Sequence, residues 1–346
     1  MRIGVIAPPW TPVPPPLYGG TELIVDLQCR GLQAAGHEVV LFATGDSTCP
    51  VPLRWVLEQA DGFRMGLGAP EARHVLAAYA ALVGEGVDIV HDHTIVGPLY
   101  AGSFPGLCVV GTAHGPFNDD LRAFYAHVAD RHALVCISHH QRSTAPEVPV
   151  AAVIHHGIDA SAFPIGAGAG GYALYLGRMA PDKGAHRAIE ACRKAGVPLK
   201  LVAKMREPGE RAYFDAEVAP LLSDEVVYLG EVPQEEKVQL LSEALVLVNP
   251  IRWPEPFGLV MTEALACGTP VVTFAEGAAP EIVEHGRTGF VCADEGEMAE
   301  AVLRAGSLDR RACRAAVEGY FSAERMVAEH LTLYAALLAG AKPQVK

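Results

Sequence analysis

Residues Glu255-Pro256-Phe257-Gly258-Leu259-Val260-Met261-Thr262-Glu263 run without a break into Ala264-Leu265-Ala266-Cys267-Gly268-Thr269-Pro270-Val271-Val272. Pro256 and Gly258 suit a turn that opens a helix, Gly268 and Pro270 suit its end, and Val271-Val272 suit the strand that follows. Turn, helix and strand in that order are part of the rhythm of a βαβ unit. The spacing puts Glu255 at or just before the helix N-terminus and Glu263 about two turns inside, an axial separation of at most about 12 Å at 1.5 Å per residue. The amides of Phe257, Gly258 and Leu259 have no partner within such a helix, and the helix dipole favours negative charge beside them.

The same rhythm extends in both directions. Strands are predicted at Ile3–Ala7, Glu38–Ala43, Ile89–His91, Val109–Ala113, Leu134–Ile137 and Ala152–His155. A second set is predicted at Ala173–Gly177, Leu199–Ala203, Val226–Leu229, Leu245–Asn249, Val271–Phe274 and Gly289–Cys292. Short β-branched runs between Ala/Leu-rich helical stretches indicate parallel sheets. The first helix is expected from Glu22 to Ala35, after the proline-rich loop 8–20, and the tail from Ala323 to Ala339 is helical in pattern. Gly166-Ala167-Gly168-Ala169-Gly170-Gly171 precedes a strand; a dinucleotide-binding loop would instead follow one, so this segment reads as a flexible interdomain linker. A chain of 346 residues suits two α/β domains, 1–165 and 166–322.

The formal charge of -13, from 27 basic and 40 acidic residues, disfavours nucleic acid as a partner. No lysine precedes Lys183, so the N-terminal half shows no basic patch for an anionic lipid surface. Eight dispersed cysteines without a Cys-x-x-Cys pair read as reduced packing thiols, and the expected location is cytoplasmic. The apolar run Met1–Ala7 is too short for a signal peptide or a membrane span.

Ligands of open α/β folds gather at the carboxyl ends of strands, and several chemically apt groups are predicted there. Arg178 and Lys183 follow the first strand of the second set across a Pro-containing turn. An arginine fork and a lysine charge suit a diphosphate and stabilise a leaving nucleotide without a metal. Gly19 and Gly20 let the backbone at the first helix approach a ligand closely. His114 ends a strand and is followed by glycine. His91 and His93 share one face of a strand by alternation, yet no further ligand partners are evident, and structural or acceptor-side roles are favoured over a metal. A sugar joined to a nucleoside through a diphosphate spans about the distance between Glu255 and Glu263. One acid is then suited to sugar hydroxyls, the other to ribose hydroxyls, and the intervening amides to the phosphates.

The Glu255–Glu263 string resembles the glutamate, seven residues, glutamate signature of family 4 retaining glycosyltransferases. Gly177-Arg178 with Lys183-Gly184 resembles that family's phosphate-binding motif, Gly19-Gly20 its donor-closing loop, and Thr112-Ala113-His114 its Thr-x-His segment. Ile154-His155-His156-Gly157-Ile158-Asp159 is similar to its Ile-x-Asn-Gly-Ile-Asp segment, with His156 in place of the asparagine. The resemblance implies the GT-B fold: two facing Rossmann-like domains with a cleft between them. The N-terminal domain would serve the acceptor, the C-terminal one the donor, and helix 323–340 would cross back to the first. It implies transfer of a hexose-type sugar from a UDP- or GDP-linked donor to a hydroxyl of a small acceptor or glycan, with no cofactor and no metal. Glu255, His114, Arg178 and Lys183 would be the catalytic group, with His114 on the donor sugar. Gly19, Gly20, Val232, Phe257, Gly258, Leu259 and Glu263 would bind the donor, Val232 beside the base. A nucleotide-sugar epimerase or phosphorylase of the same fold, or a non-catalytic nucleotide-sugar-binding protein, is the alternative.

Overall fold

The structure, a computed structural model, describes residues 1–340. The chain divides into two compact units, Met1–Gly157 together with the segment from Ala323 onward, and Ile158–Ser322.

The first unit holds β1 (Arg2–Ile6), β2 (Glu38–Phe42), β3 (Leu53–Arg54), β4 (Ile89–Asp92), β5 (Cys108–Thr112), β6 (Ala133–Cys136) and β7 (Ala152–Val153). They form one parallel sheet in the order β3-β2-β1-β4-β5-β6-β7. Its strands are covered on both faces, which is why they read as near-continuous apolar runs: Ile3, Val5, Ile6, Leu41, Ile89 and Val90 are fully buried. The edge strand β3 was not expected from sequence; at two residues with a partly exposed pattern it leaves no periodic signal. Helix Gly20–Ala34 begins two residues earlier than expected, and the closing helix Ala323–Leu338 packs against it.

The second unit holds β8 (Ala173–Arg178), β9 (Leu199–Lys204), β10 (Val226–Gly230), β11 (Val246–Asn249), β12 (Val271–Phe274) and β13 (Gly289–Cys292), also all parallel, in the order β10-β9-β8-β11-β12-β13. Tyr175, Ile189, Leu201, Val248, Phe274 and Met298 fill its core.

Both sheets reverse their strand order at one place, between β1 and β4 and between β8 and β11. Connections leaving two such strands run to opposite sides, and the gap at their carboxyl ends is where doubly wound folds take ligands.

The glycine segment does not behave as a flexible linker. Gly166, Gly168 and Gly170 donate backbone hydrogen bonds to the carbonyls of Cys267, Ser242 and Glu243, and Arg310 Nε donates to the Gly166 carbonyl at 2.7 Å. A side chain at Gly166 would run into the Ser242 backbone, so glycine serves close approach there rather than freedom. The boundary between the compact units falls earlier, at Gly157/Ile158.

Candidate active site

In the second unit the two loops at the order reversal carry the groups singled out by sequence. Arg178 is the last residue of β8. The loop after it is fixed by hydrogen bonds from Met179 N to the Lys204 carbonyl and from Lys183 N and Gly184 N to the Ala180 carbonyl. It ends at Gly184, which caps helix Ala185–Ala195. The loop after β11 carries Trp253 and Glu255. Arg252 N donates to the Asp182 carbonyl at 2.9 Å, and Arg187 donates to the carbonyls of Pro181, Asp182 and Pro250. Arg187, which sequence reasoning did not single out, thus ties the two loops together.

Lys183 and Glu255 form an ion pair through Nζ and Oε2. The indole Nε1 of Trp253 donates to the same carboxylate oxygen at 2.8 Å, and the ammonium lies 4.6 Å from the centre of the indole ring. Lys183 is only 9% exposed. A buried ammonium needs a counter-charge, and here Glu255 and the ring face supply it. Arg178 is directed to Asp182 at 3.6 Å and to Glu210 at 3.9 Å. The backbone of Glu255 is itself held: its carbonyl accepts from Ala278 N at 2.9 Å, and Gly277 lies so close to it that a Cβ there would meet the Glu255 backbone.

Two sequence expectations need correction. The helix begins at Leu259, with Gly258 as its left-handed cap, so Glu255 lies in the loop four residues before the first turn. Glu263 is the fifth residue of the helix Leu259–Ala266, little more than one turn inside. The reason is the run Trp253-Pro254-Glu255-Pro256, in which the prolines disfavour helical backbone at the residues before them. The first-turn amides are those from Leu259 onward, and Met261 N already bonds the Gly258 carbonyl. Phe257 is buried, its ring edge-on to Phe321. Glu263 is also buried and pairs with Lys237, a partner sequence reasoning missed. The two residues are 26 apart on different helices, so no local pattern joins them. Val232 lies between β10 and helix Gln234–Glu243, next to Glu231, which makes a two-pronged pair with Arg206.

In the first unit Gly19 caps helix Gly20–Ala34 and its carbonyl accepts from Leu23 N. Glu22, in the first turn, is buried, and desolvation pushes its carboxyl up to about 7. His114 follows β5 by two residues, and His93 follows β4 by one. The two rings meet through His93 Nδ1 and His114 Nε2 at 2.8 Å. His91 stacks on His93 at 4.3 Å and His156 on His114 at 5.3 Å. Burial holds all of these imidazoles neutral: His114 is lowered to about 3, and His91, His93 and His156 fall well below the ordinary value. His91 and His93 are thus packed into a ring stack.

Comparison with known proteins gives the following. A family model described as "Glycosyl transferases group 1" matches residues 167–316, and one described as "Glycosyltransferase Family 4" matches residues 18–162. The chain is 27% identical over 338 residues to glycogen synthase of Mycobacterium tuberculosis, covering 81% of this chain and 80% of that protein. It is 30% identical over 121 residues to N-acetyl-alpha-D-glucosaminyl L-malate synthase of Bacillus anthracis, a match spanning 33% of this chain and 31% of that protein. Among solved structures, Alr3699/HepE of Anabaena in complex with UDP and glucose superposes with a TM-score of 0.75 at 19% identity, covering 97% of this chain and all of that one. That likeness shows a shared fold, GT-B.

Proposed function

The chain belongs to glycosyltransferase family 4, retaining enzymes that use nucleotide sugars, and from that premise we propose that it moves a hexose from a UDP- or GDP-linked donor to an acceptor hydroxyl without a metal ion. The observation that carries this reading is the Lys183–Glu255 pair, held by the loops at the carboxyl ends of β8 and β11. In the chain alone, Glu255 balances the ammonium. A donor diphosphate brings a second anion to Lys183, which leaves Glu255 for the sugar hydroxyls and the positive charge that grows at the anomeric carbon. Arg178 and the amides of the Leu259 turn add positive potential where the departing nucleotide gains charge. These groups do the electrostatic work a divalent ion would do elsewhere. Glu263, oriented by Lys237, takes the ribose, and backbone near Val232 takes the base. His114 meets the donor sugar, and Gly19 and Gly20 approach the donor through their backbone. No side chain need act as nucleophile: with attack on the face the donor leaves from, the departing phosphate accepts the acceptor's proton.

UDP-glucose is the first donor to test, because the Anabaena relative was solved with UDP and glucose. The first unit would receive the acceptor, a small hydroxylated compound or a glycan. Support comes from a cavity of about 320 Å³ among its carboxyl-side loops, lined by Trp10, Leu57, Asp61, Arg64, Pro70 and Arg73. An aromatic face beside arginines suits a sugar ring that carries polar or anionic substituents. No helix among the described residues is long and apolar enough to cross a membrane.

The test is a panel of UDP- and GDP-hexoses read by thermal shift, since a ligand of the folded state raises apparent stability by mass action. Transfer by the hit is then assayed with and without EDTA, and the anomeric configuration of the product is read by NMR. A donor-specific rise in Tm, an EDTA-insensitive rate and a retained anomer are expected. A panel without a single shift, or activity abolished by EDTA and restored by a divalent ion, would reject the reading in whole or in its metal-free part.

A further inference from the structure

We infer that His93 is a positioning residue, which holds His114 as a neutral imidazole protonated at Nδ1 and so presents it to substrate as an N–H donor. The inference rests on the functional reading above only in supposing that His114 meets the sugar. The tautomer itself follows from the hydrogen bonds.

Neutral imidazoles carry one proton each, so in the contact between His93 Nδ1 and His114 Nε2 one ring donates and the other accepts. The other nitrogen of His93, Nε2, is buried and meets no partner among the described residues. If the His93 proton sat there, a donor would be buried unsatisfied. With the proton on Nδ1, only a lone pair is left unmet, and orphaned N–H groups are the rarer defect in folded proteins. His93 Nδ1–H therefore donates to His114 Nε2. His114, partly buried and held neutral by desolvation, has its single proton on Nδ1. In that state Nδ1 offers a hydrogen to a hydroxyl or phosphate oxygen and takes no proton from an acceptor.

The ring of His93 is in turn fixed from behind. His91 stacks on it with an angle of 12° between planes. His91 is anchored at both nitrogens: Nδ1 meets Gln28 Nε2 at 2.7 Å and the Tyr334 hydroxyl at 2.5 Å, and Nε2 meets Thr112 Oγ1 at 2.7 Å. The Gln28 amide nitrogen has only hydrogens to give, so His91 Nδ1 accepts and His91 Nε2–H donates to Thr112. Turning that amide over would strand its two N–H groups in place of one carbonyl oxygen. The ring protons of His91 and His93 thus each have one assignment.

The experiment is long-range ¹H–¹⁵N correlation on ¹⁵N-histidine-labelled full-length protein near neutral pH, with His114 assigned through His114→Gln. His114 is expected to be protonated at Nδ1 in the wild type. His93→Phe removes the donor and is expected to let His114 populate the other tautomer. It is also expected to lower kcat/KM for transfer about tenfold while leaving affinity for free UDP unchanged. His93→Asn, whose amide N–H stands near the place of Nδ1, is expected to keep both the tautomer and most of the rate. A wild-type His114 protonated at Nε2 would overturn the inference even if His93→Phe failed to fold. So would a folded His93→Phe protein with unaltered tautomer and rate. Inactivity of the wild type on every donor would count against the functional reading, whereas the tautomer, measured without substrate, would still decide this one.

Discussion

Glu263 accepts a 2.6 Å hydrogen bond from the ammonium of Lys237, which reaches it from the neighbouring helix Gln234–Glu243. The glutamate side chain is 4% exposed and the lysine 21%, so the pair is desolvated on one side and wet on the other. Removing one partner of a fully buried pair costs about 3–5 kcal/mol, and this half-open one should cost less, about 2 kcal/mol. Lys237→Met is therefore expected to lower Tm by about 5 °C. It should also raise KM for the donor more than it lowers kcat, because in the proposed reading Glu263 without its lysine loses its fixed orientation toward the ribose. Calorimetry and steady-state kinetics check both; a stable variant with unchanged donor KM would separate Glu263 from donor binding.

Lys183 and Glu255 offer a double-mutant cycle. Lys183→Ala is expected to cost about 2 kcal/mol or more of transition-state stabilisation, read as a loss of about 30-fold in kcat/KM. Glu255→Gln should harm turnover more than binding of free UDP or GDP. Because the two side chains touch in the chain alone, the double variant should fall short of the summed losses by about 1 kcal/mol. Strict additivity would mean that the pair is not coupled during catalysis.

Gly277 tests how far the placement of Glu255 depends on backbone support. Its φ is +58°, and a Cβ would push into the Glu255 backbone. Gly277→Ala should cost about 1–3 kcal/mol in stability from strain in the left-handed region and the clash together. It should also reduce kcat, since Glu255 must move to make room. A variant of lowered Tm and normal kcat would show that Glu255 tolerates the displacement.

The first unit should be acid-sensitive. Burial lowers His74, His132 and His330 to about 4 and His114 to about 3, and takes His91, His93 and His156 well below the usual value. In the unfolded chain these groups titrate near 6.5, so between about pH 4 and 6.5 the unfolded state binds more protons and stability falls as pH falls. Three buried acids act in the opposite sense: Glu22 is raised to about 7, Asp92 to about 6, and Glu71 also upward, so each binds its proton in the folded state. Seven histidines at up to about 1.4 kcal/mol per pH unit each outweigh three acids. Urea unfolding at pH 7.5 and pH 5 should show a loss of several kcal/mol at the lower pH. Equal midpoints would mean that the histidines reach solvent.

Much of this architecture was legible in the sequence because parallel strands buried on both faces announce themselves. β12 and β13 were read residue for residue, and most others to within one or two. The Lys183 and Glu255 loops were legible for the same reason: each leaves a strand that could be recognised. What stayed hidden was partnership across distance. Nothing near Glu263 points to Lys237, and nothing near His93 points to His114. Each pair is set by which strands or helices end up adjacent, and local patterns do not encode adjacency. The glycine segment 166–171 misled for a related reason: glycine marks a flexible tether and a close backbone approach with the same letters. The start of the helix before Glu263 was misplaced because Pro256 suits a first helical turn, whereas here it lies in the extended approach to Gly258.

The helix Ala323–Leu338 belongs to the first unit, and it contributes His330 and Tyr334 to the buried ring cluster around His91. During synthesis the first 157 residues emerge with that position unfilled, and all of Ile158–Ser322 must follow before the missing helix arrives. Until then Gln28 and His91 lack the Tyr334 hydroxyl, and the part of helix Gly20–Ala34 on which the closing helix packs has no cover. A chain whose synthesis stops anywhere in the second unit therefore leaves the first one open as well, so the first unit is finished only after the second has been made.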